Sequence, residues 1–149
     1  MPFLTVWAAL GLVLCMPRST LSTPMCGCEH RYSLMMDFYN ATNGAGWTHN
    51  NGWSLTPASC LTNWYGVYCY YNDVQEIDLP NNNLTGTLPA SLGNMSQLVQ
   101  LSLSSNSITG TLPPEWQSFK LLRYLYLWSN SLSGTLPTEW SNIFWLIQL

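Results

Sequence analysis

The chain has 149 residues, 47% apolar and only 7% charged, which excludes a charge-rich disordered tail and suits one domain with a continuous core. Its net charge of -3 includes just four basic residues, Arg18, Arg31, Lys120 and Arg123. These are too few and too scattered to neutralise a phosphate backbone, so no nucleic-acid partner is expected.

At the amino end, Phe3 to Met16 (FLTVWAALGLVLCM) is an uncharged apolar run, with small residues further on at Thr20-Leu21-Ser22. It is shorter than the about 20 residues that span a bilayer, and reads as a signal peptide over 1–22. Its removal takes Cys15 and leaves Cys26, Cys28, Cys60 and Cys69. Four cysteines allow three pairings. The short step between Cys60 and Cys69 favours that disulfide, whereas Cys26 and Cys28, separated by one residue, would strain if joined. Sequons at Asn40-Ala41-Thr42, Asn83-Leu84-Thr85 and Asn94-Met95-Ser96 mark Asn40, Asn83 and Asn94 as glycosylation candidates. All three features point to a secreted or cell-surface location.

Residues 23–73 read as an amino-terminal cap. Leu34, Phe38 and Ala41 fall on one face of an amphipathic helix over His30 to Thr42, with Met35 and Tyr39 on the adjoining row. Asn43-Gly44-Ala45-Gly46 ends it. A loop rich in Trp and Asn comes next, then Trp64 to Cys69 reads as a strand and Asn72-Asp73 as a turn. Trp47, Trp53 and Trp64 are expected to cover the open end of a repeat stack that begins at Val74. His30 and His49 are expected to be surface residues without a role.

From Val74 onward the sequence repeats every 24 residues, in rows 74–97, 98–121 and 122–145, with a fourth beginning at 146. Shared offsets include Ile77/Leu101/Leu125, Leu79/Leu103/Leu127, Asn82/Asn106/Asn130, Leu84/Ile108/Leu132, Gly86/Gly110/Gly134 and Leu88/Leu112/Leu136. One such unit cannot bury its own apolar face, so the rows predict a solenoid of stacked turns. Alternating leucines predict parallel strands, the asparagines a ladder bonding backbone between turns, and Thr-Gly-Thr-Leu-Pro a bend and a second extended stretch. Leu92/Trp116/Trp140 and Met95/Phe119/Ile143 read as core of the convex side. The chain stops at Leu149, inside the fourth row, so either a truncated product or a longer natural chain is expected.

The outward strand positions vary from row to row: Glu76/Gln100/Tyr124, Asp78/Ser102/Tyr126 and Pro80/Ser104/Trp128. Glu76, Asp78, Gln100, Ser102, Ser104, Tyr124, Tyr126 and Trp128 are the candidate ligand-binding residues, since Tyr and Trp offer rigid apolar area with polar tips. Glu76 and Asp78 lie roughly 7 Å apart along one strand at ~3.3 Å per residue. That separation would serve glycoside chemistry in a cleft, but an open sheet favours a solvated pair. No Ser/His/Asp set, phosphate loop or metal cluster occurs in the sequence, so no catalytic residue, metal or cofactor is assigned.

Leu-Thr-Gly-Thr-Leu-Pro-Ala-Ser-Leu-Gly and Leu-Ser-Gly-Thr-Leu-Pro-Thr-Glu-Trp-Ser resemble the 24-residue leucine-rich repeats of plant receptors and of kinetoplastid surface proteins. Leu-Pro-Pro-Glu-Trp-Gln and Leu-Pro-Thr-Glu-Trp-Ser look most like the trypanosomatid surface-antigen and proteophosphoglycan group. Trp64-Tyr65-Gly66-Val67-Tyr68-Cys69 is similar to the signature of the cap that precedes plant-type repeats. The resemblance implies an α/β fold, a right-handed leucine-rich-repeat solenoid with a parallel sheet on its concave face, an irregular or 3-10 convex side and a small helical, disulfide-bonded cap. It implies a non-catalytic recognition or adhesion module binding an extracellular protein or glycan, with a parasite surface antigen as one form and the ectodomain fragment of a signalling receptor as the alternative. Membrane attachment would require an anchor in the full-length chain.

Overall fold

Two patterns dictate the architecture, an aromatic cap and a 24-residue period, and a computed structural model describes them at residues 29–53, 64–71 and 73–142. The segment read as a signal peptide, Cys26, Cys28, Cys60, Ile143 and the fourth row lie outside the described residues. No helix among the described residues is long and apolar enough to cross a membrane.

A 3-10 turn, Glu29–Arg31, leads into α1 (Tyr32–Ala41). Its buried face runs through Met35 and Phe38 and on to buried Thr42, the i, i+3, i+7 spacing of a single stripe. The face expected through Leu34, Phe38 and Ala41 is thus turned about one position, and Leu34 is partly buried at the edge of the core. Thr42 tolerates burial because its hydroxyl donates to the Phe38 carbonyl at 2.6 Å. Asn43 then ends the helix in the left-handed region at φ 57°.

Phe38 packs its ring against Trp47 and Trp53, at centroid separations of 5.7 and 6.1 Å. Both indoles are buried and hydrogen-bonded, Trp47 Nε1 to the Thr42 carbonyl at 2.9 Å and Trp53 Nε1 to the Tyr65 carbonyl at 3.0 Å. Trp64 packs half-buried against the same cluster. Trp47 and Trp53 share one apolar core with Val74, Ile77 and Leu79, and Trp64 packs against it.

The strand expected over Trp64 to Cys69 forms later, as β1 (Val67–Tyr70). Gly66 sits at φ +73° with the Asp78 carbonyl where a Cβ would be, so the chain turns there and only then extends. β1 runs antiparallel to β2 (Asp73–Asp78), with Val67 opposite Ile77 and Tyr68 opposite Glu76. β4 (Gln100–Ser102) and β6 (Tyr124–Tyr126) follow in parallel, giving the order β1-β2-β4-β6. A second parallel sheet, β3 (Thr85–Thr87), β5 (Ser107–Gly110) and β7 (Ser131–Leu132), occupies the stretch after each Asn. Three 3-10 turns, Ala90–Asn94, Pro114–Ser118 and Thr138–Asn142, close the coils on the other side.

Ile77, Leu79, Leu101, Leu103 and Leu125 are all 0% exposed between the sheets and these turns, each worth about 1.5–3 kcal/mol of transfer from water. Burial at one offset falls along the stack, from Leu88 at 6% to half-buried Leu112 to Leu136 at 55%. Leu92, Met95, Trp116, Phe119 and Trp140 fill the convex side, as their repetition predicts.

The asparagines form the expected ladder. Asn106 Oδ1 accepts from the backbone N–H groups of Asn82 and Leu84, each at 3.0 Å, while its Nδ2 donates to the Leu79 and Leu103 carbonyls, each at 2.9 Å. Asn130 repeats the pattern one turn on, accepting from Ile108 N–H and donating to the Leu103 and Leu127 carbonyls. A second ladder was not evident in the repeats: Trp116 Nε1 donates to the Pro89 carbonyl at 3.1 Å and Trp140 Nε1 to the Pro113 carbonyl at 3.0 Å. Tryptophan fills the convex offset and also satisfies a backbone acceptor of the preceding turn.

Candidate ligand-binding face

Parallel, in-register pairing fixes which side chains share a row. Glu76, Gln100 and Tyr124 are aligned, as are Asp78, Ser102 and Tyr126. Antiparallel β1 extends the first row by Tyr68. Because side chains alternate across a strand, these positions stand on the face opposite the buried leucines, as the sequence predicted. Pro80, Ser104 and Trp128 form a third row where the chains leave the strands.

The aromatic residues lie at the two sides. Tyr68 is 47% exposed and Trp128 60% exposed, while Tyr124 and Tyr126 are half-buried and stack with centroids 6.5 Å apart and planes 14° from parallel. Glu76, Asp78 and Gln100 are half-buried between them. Ser102 and Ser104 depart from expectation, because outward strand positions should be accessible, yet these retain only 7% and 4% exposure. The cause is size: each short serine lies between taller neighbours on the flanking strands. They become the floor of an open groove of about 710 Å³ whose remaining lining is Pro80, Asn81, Ser105, Tyr126 and Trp128.

The carboxylates of Glu76 and Asp78 sit on the open sheet beside this groove and outside its lining. No group of three or more His, Cys, Asp or Glu with metal-binding geometry occurs among the described residues. This face is equipped for contact, through aromatic area, two acids, amides and hydroxyls.

Three residues assigned no role act in holding the face in place. Arg31 binds Asp73 at the start of β2 through Nε–Oδ1 and Nη2–Oδ2 bonds, both 2.7 Å. This guanidinium holds the Asp73 carboxyl below the usual carboxylate range, against an opposing effect of burial. His30, expected to be idle, lies 3.5 Å from the same carboxylate. His49, expected likewise, stacks on Tyr65 at 4.9 Å and brackets Asn82, its N–H donating to Oδ1 at 2.7 Å and its carbonyl accepting from Nδ2 at 3.0 Å. Nothing in the sequence signalled the pairing of His49 with Asn82, which lies 33 residues away.

Cys69 is disulfide-bonded, with a partner outside the described residues. The sequon residues Asn40, Asn83 and Asn94 are all exposed, and Asn83 Nδ2 donates to the Gly46 carbonyl at 2.8 Å.

A sheet that gains one parallel strand per 24-residue row, braced by an Asn ladder, defines a solenoid repeat architecture. Residues 72–132 match a family model described as leucine rich repeat. No curated protein sequence matches the chain. Among solved structures, PEPR1–AtPEP1 aligns with a TM-score of 0.70 at 20% identity, over 81% of this chain and 17% of that one, an identity that speaks for the fold alone. The BIR3–SERK2 complex of Arabidopsis thaliana aligns at TM-score 0.64 and 25% identity, over 78% of this chain and 65% of that one. The Arabidopsis receptor kinase HAESA ectodomain, in complex with an N-terminally extended IDA peptide hormone ligand, aligns at 0.63 and 26%, over 83% of this chain and 20% of that one. The chain spans less than two thirds of each of these proteins.

Proposed function

We propose that the chain is a non-catalytic extracellular recognition or adhesion module, secreted or held at the cell surface, that binds a protein or glycan ligand through the solvent face of its four-stranded sheet. The observation that carries this reading is the aligned set Tyr124, Tyr126 and Trp128 beside Glu76, Asp78, Gln100, Ser102 and Ser104. Rigid aromatic side chains next to hydrogen-bonding groups are the composition of binding hot spots. Similarity to a receptor ectodomain in complex with a peptide hormone supports an extracellular partner.

In this reading the coil is right-handed, the cap is closed by a Cys60–Cys69 disulfide, and glycans occupy Asn40, Asn83 and Asn94. The Leu-Pro-x-Glu-Trp rows favour a parasite surface antigen. The similarity to BIR3–SERK2 and HAESA favours a second reading, a fragment of a signalling-receptor ectodomain, with membrane attachment through an anchor elsewhere in a longer chain.

The test is a screen of extracellular proteins and glycans followed by titration of Tyr126→Ala and Trp128→Ala. Each substitution is expected to weaken a ligand so found by about 1 kcal/mol or more. Wild-type affinity in both variants would remove this face from the site.

A further inference from the structure

The groove at the ends of β2, β4 and β6 has a feature that binding-face composition alone does not explain. Ser102 and Ser104 are more than nine-tenths buried on its floor, and among the described residues the one buried side-chain polar atom cut off from any partner is the Ser91 hydroxyl, so the two serine hydroxyls still reach the groove. What little surface they keep opens into the groove. A hydroxyl on the floor of a groove, partly shielded from bulk water, gains more from a ligand bond than a freely hydrated one. Two of them, on alternate positions of one strand, are poised for an occupant that supplies both donors and acceptors.

The rest of the lining narrows its chemistry. Pro80, Asn81, Ser105, Tyr126 and Trp128 carry no formal charge, and the charged residues in the aligned rows of this face, Glu76 and Asp78, are acidic. An anion would meet repulsion and find no cation in the groove. The wall-bearing strands β2 and β6 lie two strand spacings apart, roughly 10 Å, so the slot is about one ring wide. Trp128 presents a 60%-exposed indole along one side. A pyranose ring has the matching character, with an apolar C–H face for the indole and a rim of hydroxyls for the serines and Asn81.

Resting on the reading of this sheet face as the binding face, we infer that the groove is a subsite for a neutral pyranose within a glycan, stacked on Trp128 and hydrogen-bonded by Ser102 and Ser104. Acidic and sulfated sugars are excluded from it by charge.

The test uses the full chain and a panel of neutral hexaoses (gluco-, manno-, galacto- and N-acetylglucosamine-based) with sulfated counterparts, read by calorimetry and tryptophan fluorescence. At least one neutral hexaose binds with a change in tryptophan emission, and its sulfated form binds more weakly. Trp128→Ala lowers affinity about tenfold or more and Ser104→Ala several-fold, with circular dichroism confirming that each variant is folded. Failure of every neutral hexaose to bind, or a preference for sulfated sugars, overturns the inference. If a protein ligand is found that depends on Trp128 while no sugar binds, the sheet face stands and the sugar assignment falls. If a hexaose binds equally well to both variants, the groove is not its site.

Discussion

The guanidinium of Arg31, at the foot of the cap helix, makes a two-pronged ion pair with the carboxylate of Asp73, which opens the first repeat strand. The two residues are 42 apart in sequence, so this contact ties the cap to the stack. With side-chain exposures of 19% and 15%, the pair is shielded without being deeply buried.

Stability should carry this pair's titration. Asp73's carboxyl is held low by the Arg31 hydrogen bonds, so its folded-state pKa lies below the unfolded value of about 3.9. The contribution is complete above that value and is lost as pH falls through the folded pKa. Asp73→Asn is expected to cost about 1 kcal/mol at pH 7, allowing for solvent screening. Urea midpoints of variant and parent should draw together as the pH is lowered through and below the unfolded value, and a constant difference across that range would contradict the assignment.

Removing a rung of the ladder should cost more. In Asn106→Ala the N–H groups of Asn82 and Leu84 and the carbonyls of Leu79 and Leu103 lose a common partner. Several under-satisfied backbone groups predict a loss of about 2–4 kcal/mol. Chemical denaturation measures it, and a loss under about 1 kcal/mol would mean that water replaces the amide.

Equivalent glycines should differ sharply. Gly86 and Gly134 share positive φ, 86° and 82°, and so share the modest conformational cost of gaining a side chain. At Gly86, however, a Cβ collides with the Ala41 carbonyl of the cap, whereas at Gly134 it meets the Thr111 methyl at 3.2 Å. Gly134→Ala is expected to lose about 1 kcal/mol and Gly86→Ala about 3 kcal/mol or more. Similar thermal unfolding of the two variants would show that the cap yields at Ala41.

The repeats could be read in advance because each offset has a single task set by its neighbours one turn away. Leu101 must be buried wherever Ile77 and Leu125 are, and Asn106 must bond backbone on both sides. The candidate rows followed from strand alternation and period alone. The cap has no period, so nothing in the order of residues pairs Arg31 with Asp73 or aligns His49 with Asn82. The helix face moved because Thr42 could satisfy its hydroxyl within its own helix, which hydrophobic counting does not register. The depth at which Ser102 and Ser104 lie was hidden for a different reason, since their exposure is set by the bulk of side chains on adjacent strands.

His49 offers Asn82 a backbone N–H and carbonyl in the way that one coil offers them to the Asn of the next. The cap thus imitates a preceding coil, and the first true repeat cannot distinguish it from one of its own kind. The number of coils is consequently a variable that neither the cap nor any individual rung senses. Duplication of a 24-residue unit between Asn82 and Asn106 would present each new neighbour with the same pair of bonds, allowing the binding face to lengthen by whole strands while its anchoring end stays unchanged.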